Sequence, residues 1–339
     1  MKIKNLVFLI IFLLSATHIF AQADIENLVK EGIELHENGN YEAAIETYKK
    51  ALEIDPKSTL VNYEIALSYF TKGDYEEAVT YSDVVLEQDE DFTLQAYLTK
   101  GSALDMLGRT PESIKLFEKA INETGGHYLL YYNLGLNYYK MNDFDDAREN
   151  VIQAIEFNPN HSSSHLMLSK IHYQKGNPVQ SLLATYYFLF LEPDSQRSAV
   201  AHAMLQENFG GNVSKDENKP NTINITYSPS DDSQFGAAEL MISMLEASKS
   251  LEKNEGKTDD ELFVENTESL FKILGEQQKK ESKEIWWTFY TPFFYDLARS
   301  EHLETFCKYI TQGSNENSRN WLVENESRLS DFAAWLDDQ

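Results

Sequence analysis

One cysteine, Cys307, stands in 339 residues. A lone thiol has no partner within the chain, so no internal disulfide braces the fold. Basic residues are scarce, at 29 Lys and Arg against 55 Asp and Glu, a net charge of −26. Nucleic-acid binding depends on cations that displace phosphate counterions, and an anionic lipid surface repels an acidic chain. Neither partner fits, and self-repulsion favours solubility instead. Beyond residue 23 no run is long and apolar enough to cross a bilayer. Missing as well are a glycine-rich phosphate loop, a nucleophile elbow and an HExxH pair. The acidic groups Asp89, Glu90, Asp91 and Asp259, Asp260, Glu261 lack the glycine and alternating oxygen ligands of a calcium loop, and read as solvated faces.

What the chain has begins at its first residues. Lys2 and Lys4 precede an apolar stretch at 6–14, and Ser15, Ala16 and Thr17 lead to Ala21, Gln22 and Ala23. That order is a secretory signal peptide, residues 1–22, with cleavage after Ala21 or Ala23. Its apolar part is too short to span a membrane comfortably. No cysteine follows it, so no lipidated N-terminus is expected. An exported, disulfide-free chain fits a bacterial periplasm or the exterior. Asn212-Val213-Ser214 and Asn224-Ile225-Thr226 match glycosylation acceptors, but three-residue patterns arise by chance and carry no weight.

A repeat follows. Gly32, Ala66, Gly101, Gly135 and Ser169 recur at intervals of 34, 35, 34 and 34 residues. Parallel columns hold Leu35, Tyr69, Leu104, Tyr138 and His172, then Gly39, Gly73, Gly108, Asn142 and Gly176, then Ala44, Ala78, Ser113, Ala147 and Ser181. Pro56, Pro159 and Pro193 close three units. Each unit reads as a helical hairpin. Its small residues let two helices approach closely, and its Gly or Asn ends the first helix in a left-handed conformation. Asn40, Asp74, Asp143 and Asn177 are expected to cap the second helices with their side chains. In the third unit Thr110 is expected to cap in place of Arg109, and Pro111 and Pro178 sit at plausible first helical positions. The third unit also lacks a closing proline and ends at Gly125 and Gly126.

This pattern resembles the tetratricopeptide repeat (TPR) family. The resemblance covers five units at 25–58, 59–93, 94–127, 128–161 and 162–194, within residues 24–194. It implies an all-α fold in which a right-handed TPR α-solenoid of about five hairpins stacks, because one hairpin cannot bury its apolar face alone. It also implies a concave groove lined by the second, fifth, ninth and twelfth positions of each unit. The groove residues carried over are Val29 and Ile33; Tyr63, Leu67 and Phe70; Leu98; Tyr132, Leu136 and Tyr139; and Leu166, Lys170 and Tyr173. Tyrosine suits recognition, with large area, few rotors and a polar tip, although the same residues can pack between helices. Chaperone-tail binders of this family clamp a carboxylate with a Lys and an Asn. The matching positions in the first unit are Val29 and Ile33, and no unit has the pair. An apolar peptide or helix is the partner this groove implies.

Residues 195–209 read as a helix capping the last unit, and 210–233 as a polar linker or functional loop. Ile223, Ile225 and Tyr227 alternate with polar residues, as a short strand or a segment lying in a groove would. Residues 234–339 read as a small all-helical domain with its own aromatic core, loosely similar to helical tails of exported bacterial repeat proteins. Thr258 and Glu261 form a capping box, Gly275 is expected to end that helix, and Pro292 to start another running to Ile310. A final helix is expected to hold Trp321, Leu322, Leu329, Phe332 and Trp335.

Chemistry is thin. Cys307 and His302 lie five apart on one expected helix and so point apart; a buried, inert thiol is expected. His161 and His165 are one turn apart, but His165 and His172 fill columns held by tyrosines elsewhere and read as packing residues, not metal ligands. The expectation is a non-catalytic, exported, periplasmic or secreted scaffold that binds another protein or peptide, without cofactor, metal or nucleic acid, and with no membrane span in the mature chain. An alternative is a structural component of an envelope assembly whose own linker or C-terminal domain fills the groove. A weaker one is an enzyme with a site around Trp286, Tyr290, Asp296, Arg299 and His302.

Overall fold

The computed structural model describes residues 23–88, 91–210, 213–215, 222–226, 233–249, 251, 254–279 and 281–338. The expected signal peptide, Asp89, Glu90, Asn212 and Tyr227 lie outside them. The chain divides into two compact units that part between Asn142 and Asp143.

The first unit is a run of helices, each packed on the next: α1 over 23–37, α2 (Tyr41–Ile54), α3 (Thr59–Lys72), α4 (Tyr75–Leu86), α5 (Thr93–Met106), α6 (Thr110–Thr124) and α7 (Tyr128–Lys140). The turn column does what its residue type permits. Gly39, Gly73 and Gly108 have φ of 77°, 96° and 75°. The residue after each glycine donates its N–H six-to-one to Leu35, Tyr69 or Leu104 at 2.9 Å, so the column three residues past the small position supplies the carbonyl that closes the turn. Gly125 and Gly126, also at positive φ, take the place of a proline in the third unit.

At two positions of the small column, Gly32 and Gly101, the missing side chain admits an aromatic ring from the second helix of the same hairpin. A methyl group on Gly32 would lie 2.2 Å from Tyr48 Cε1, and one on Gly101 would lie 2.2 Å from Phe117 Cζ. Both rings are buried. Tyr48 forms a core with Val29, Ala44, Ala51, Val61 and Ile65, and Phe117 one with Tyr97, Ala120, Leu130 and Leu134. Polar ties are internal. Ser113 Oγ donates to Gly101 O at 2.7 Å, and Asn137 Nδ2 donates to Ser113 Oγ at 2.7 Å.

The second unit holds α8 (Phe144–Phe157), α9 (Ser162–Gln174), α10 (Pro178–Leu191) and α11 (Gln196–Gly210). An antiparallel hairpin follows, β1 (Val213–Lys215) with β2 (Ile223–Ile225), in the register Val213 to Ile225. Next come α12 (Gly236–Ser248), α13 (Asp259–Glu276), a π-helical turn at Trp286–Tyr290, α14 (Thr291–Arg299), α15 (Leu303–Thr311), α16 (Glu316–Glu324) and α17 (Glu326–Asp337). In the hairpin of α9 and α10 the glycine–aromatic fit becomes a cluster of hydroxyls. Ser169 Oγ lies 2.5 Å from Thr185 Oγ1 and 3.3 Å from Ser181 Oγ.

The C-terminal helices join one another through Phe271, Phe294, Phe306 and Phe332, and share that core with α10. They pack around α10, which is buried without interruption from Val179 to Leu189, as a helix apolar on all sides must be. Tyr186 sits among Phe263, Phe271, Phe294 and Phe306, and its hydroxyl meets Thr267 Oγ1 at 2.8 Å. The described part of 210–233 is the β-hairpin packed on α12.

Several local expectations are corrected. Of Asn40, Asp74, Asp143 and Asn177, all at N-cap positions, only Asp143 bonds the helix with its side chain, to Asp146 N. Asp74 takes Lys72 Nζ at 2.8 Å instead. Arg109 is the N-cap of α6, while Thr110 is its first residue and donates to Asp105 Oδ1 at 2.8 Å. Gly275 is the next-to-last residue of α13 and not its cap, and the Tyr295 ring packs on it, 2.0 Å from where a Cβ would be. The helix begun at Thr291 and Pro292 stops at Arg299, and a break at Asn325 splits the last helix into α16 and α17. The capping box of Thr258 and Glu261 is present on both sides.

Candidate functional site

Nine of the twelve groove residues fall in the first unit: Val29 and Ile33 on α1, Tyr63, Leu67 and Phe70 on α3, Leu98 on α5, and Tyr132, Leu136 and Tyr139 on α7. There α3 packs on α5 and α5 on α7, so the first helices of successive hairpins lie side by side. Val29, 7% exposed, belongs to the core and not to a surface. The other eight are half-buried, with apolar area still open to solvent. Ile33 leans on the same core as Val29.

Polar groups along this face are tied down. His36 Nδ1 meets Ser68 Oγ at 2.8 Å, joining α1 to α3. Asp105 accepts from Thr110 and from Lys140. Burial raises the Tyr63 hydroxyl above its ordinary pKa, with Glu64 adding to the effect. Glu64 is itself raised by burial and accepts from Tyr48 OH at 3.4 Å. One participant was invisible in the repeat columns. Phe92, just before α5, stacks on Tyr63 with centroids 5.2 Å apart and planes at 14°, and holds φ at 70° to do so. A bulky residue at positive φ is the signal, and only coordinates show it.

Leu166, Lys170 and Tyr173 belong to α9 in the second unit. Leu166, at 6% exposure, is core. Lys170 and Tyr173 are half-buried, and the Tyr173 hydroxyl donates to Glu207 of α11, which raises its pKa. Here α11, the expected cap, packs along α10.

The histidines have structural partners. His165 uses both ring nitrogens, Nδ1 with Tyr290 OH at 2.7 Å and Nε2 with Pro159 O at 2.8 Å, and burial lowers its pKa to about 4. His161 Nδ1 meets Ser164 Oγ at 2.8 Å, and burial lowers its pKa too. Burial takes His172 to about 3, helped by Arg148 and Lys175. Cys307 is 1% exposed; burial pushes its thiol up, though a bond with Thr267 opposes that. Around the aromatic tail, Trp286 and Tyr290 face inward while Asp296 and Arg299 are exposed, Arg299 over the Tyr295 ring. His302 is the N-cap of α15, beside Phe332 and Trp335. These five groups converge on no common point.

The second unit also carries clefts. One of about 1410 Å³ lies between α11, the end of α12, α13, α15 and the start of α16. Its central polar groups satisfy one another, with Lys308 Nζ 2.6 Å from Asp260 Oδ2 and Asn315 Nδ2 donating to Asp260 Oδ1 at 2.8 Å. Another, of about 750 Å³, lies beside His172 and Trp286.

A family model described as TPR repeat matches residues 32–73, and models described as Tetratricopeptide repeat match 63–127 and 128–161. Over these residues the chain is a tetratricopeptide repeat protein. This TPR protein is 28% identical over 167 residues to a TPR repeat-containing protein of Methanocaldococcus jannaschii, covering 46% of its own length and 29% of the relative's. It is 29% identical over 132 residues to SPINDLY of Hordeum vulgare, a probable UDP-N-acetylglucosamine–peptide N-acetylglucosaminyltransferase, covering 37% of its own length and 14% of that protein. The match thus spans under a third of either relative. Among solved structures, PilF of Pseudomonas aeruginosa is 20% identical with a TM-score of 0.46, over 56% of this chain and 90% of that one. MamA of Desulfovibrio magneticus RS-1 is 20% identical with a TM-score of 0.42, over 50% and 93%. Among the described residues of the TPR protein, no helix is long and apolar enough to cross a membrane.

Proposed function

We propose that this TPR protein is a non-catalytic, exported scaffold, periplasmic or secreted, that takes an apolar peptide or helix of a partner protein on the first helices of its repeats. One observation carries the reading. Tyr63, Leu67 and Phe70 on α3, Leu98 on α5, and Tyr132, Leu136 and Tyr139 on α7 stand half-exposed on helices packed side by side. Rigid aromatic and aliphatic anchors in a row give affinity at low entropic cost. Export is supported by the lysines, apolar stretch and small residues at 1–23.

The test is binding of proteins from the cell-envelope extract to the full chain and to a Tyr63→Ala, Tyr132→Ala, Tyr139→Ala variant. Loss of the captured partner in the variant supports the assignment; equal capture removes it.

A second reading has the chain's own linker or C-terminal domain occupying the groove; Glu207 of α11, which binds Tyr173, already meets one groove position from within the chain. In that case deleting residues 211–232 loosens the array and raises its protease sensitivity.

A further inference from the structure

The cleft of about 750 Å³ is walled by α8, by the turn joining α9 to α10, and by the segment entering the π-helical turn. Two of its lining side chains are nearly closed to solvent, His172 at 2% and Asn177 at 6% exposure. Each carries one polar atom, His172 Nε2 and Asn177 Oδ1, with no hydrogen-bond partner among the described residues. Their other polar atoms face each other, Asn177 Nδ2 and His172 Nδ1 being 3.3 Å apart. A buried polar atom left without a hydrogen bond is destabilising, and such groups are few in folded proteins. An orphan pair in one cleft therefore calls for an occupant.

We propose that this cleft binds a backbone segment of a partner polypeptide, with His172 and Asn177 meeting one peptide C=O and one peptide N–H of that segment. The pair calls for a partner that both donates and accepts, and the backbone is where a polypeptide carries both groups at every residue other than proline. With Asn177 Nδ2 donating to His172 Nδ1, the imidazole proton is on Nε2, a donor, and Asn177 Oδ1 is left as an acceptor. Turning the carboxamide over exchanges the two roles and still leaves one donor and one acceptor. An amide matches both arrangements. A carboxylate offers acceptors alone and an ammonium donors alone, so each leaves one orphan unsatisfied.

The surroundings agree. Burial keeps His172 neutral, with a pKa lowered to about 3. The rim carries Arg148, Lys175 and Lys283 against Glu149, Glu156 and Glu284, so it favours no net charge. The Trp286 and His172 rings stand perpendicular, with centroids 4.8 Å apart at 89°, and Trp286 also lines the cleft. It begins the π-helical turn, a local irregularity that recurs at functional sites. The orphan atoms are themselves closed to solvent, so an entering amide shifts a lining side chain to reach them. The site lies wholly in the second unit and stands independently of the groove on the first.

The test is a titration of the full chain, ¹⁵N-labelled at histidine, with N-acetyl-alanyl-alaninamide, which has amides and no charged end. The His172 ring signals are assigned with His172→Gln, and sodium acetate is titrated in parallel. The blocked dipeptide is expected to shift His172 Nε2 saturably. Acetate is expected to leave it unmoved, and Asn177→Leu to weaken the dipeptide at least tenfold. No saturable shift with the dipeptide, as a trapped water alone would give, overturns the proposal. So does an equal response to acetate. If Asn177→Leu does not fold, the two titrations of the native chain still decide it.

Discussion

Tyr290 and His165, 125 residues apart in sequence, meet at 2.7 Å between hydroxyl and Nδ1 in a fully buried contact. The bond ties the first helix of the last hairpin to the π-helical turn, and the Tyr187 and Phe289 rings pack against the same imidazole at 4.5 and 6.0 Å. Tyr290→Phe keeps the ring and removes the hydroxyl. It leaves His165 Nδ1 buried without its partner, at a cost of about 1–3 kcal/mol. Urea unfolding followed by tryptophan fluorescence should show the midpoint fall with an unchanged slope. An unmoved midpoint means that the hydroxyl and imidazole do not bond.

Gly32 and Gly101 should tolerate alanine less well than Gly39, although all three belong to the same repeat pattern. At Gly32 and Gly101 the added Cβ meets a buried ring at 2.2 Å. Overpacking of this kind costs about 1–3 kcal/mol. At Gly39 nothing lies within 4 Å and the penalty is the left-handed backbone at φ 77°, about 1–2 kcal/mol. The discriminating measurement is the pair. Phe117→Leu should recover part of the loss in Gly101→Ala and none of that in Gly39→Ala, which has no ring to relieve.

Much of this architecture is written in the residue columns. The 34-residue period, the left-handed turn positions and the capping box follow from local rules, because helix ends and close helix crossings depend on residues near in sequence. What the columns could not show depends on distant partners. Gly275 looks like a helix stop, yet it lies within α13 with the Tyr295 ring packed on it. Val29 occupies a groove position, yet it joins the core of Ala44, Ala51, Val61 and Ile65. Leu166 is buried because α9 is covered on more than one side, with Ser164 to Ser169 all closed to solvent. The C-terminal aromatics read as a separate core, since nothing local reveals that Tyr186 of α10 shares it. Phe92 entered no column, and the ring it places on Tyr63 follows from a backbone angle.

Phe92 offers a separate test, because glycine and alanine there should differ in a set order. Both lose the stack on Tyr63, worth about 0.5–1.5 kcal/mol beyond area burial. Alanine keeps the left-handed strain at φ 70°, whereas glycine adopts that conformation freely. Phe92→Gly should therefore be more stable than Phe92→Ala by about 1–2 kcal/mol. The reverse order in thermal melts would mean that this turn is not left-handed.

Native Cys307 should resist a thiol reagent. It is 1% exposed, burial raises its pKa, and the thiolate is the reactive form. The full chain should react with an aromatic disulfide reagent at the rate of its unfolding, and at once in denaturant. Prompt reaction of the folded protein would place the thiol at the surface, outside the core shared with Tyr186 and Thr267.

Acid should destabilise the second unit through its histidines. His165 and His172 have pKa values lowered by burial to about 4 and about 3, from 6.5. The charged groups acting on them have the same sign, with His161 on the first and Arg148 and Lys175 on the second. A depressed histidine pKa means that the unfolded chain binds more protons below pH 6.5. The stability from keeping these rings neutral is thus whole above pH 6.5 and is lost as the pH falls toward the folded values. At pH 5 the loss is roughly 2 kcal/mol for each ring. Between pH 6 and 5 the free energy of unfolding should fall with a slope near the uptake of two protons, and His165→Gln with His172→Gln should flatten it by that amount. If the double variant keeps the native slope, other groups govern the acid response and these imidazoles are not held neutral by the fold.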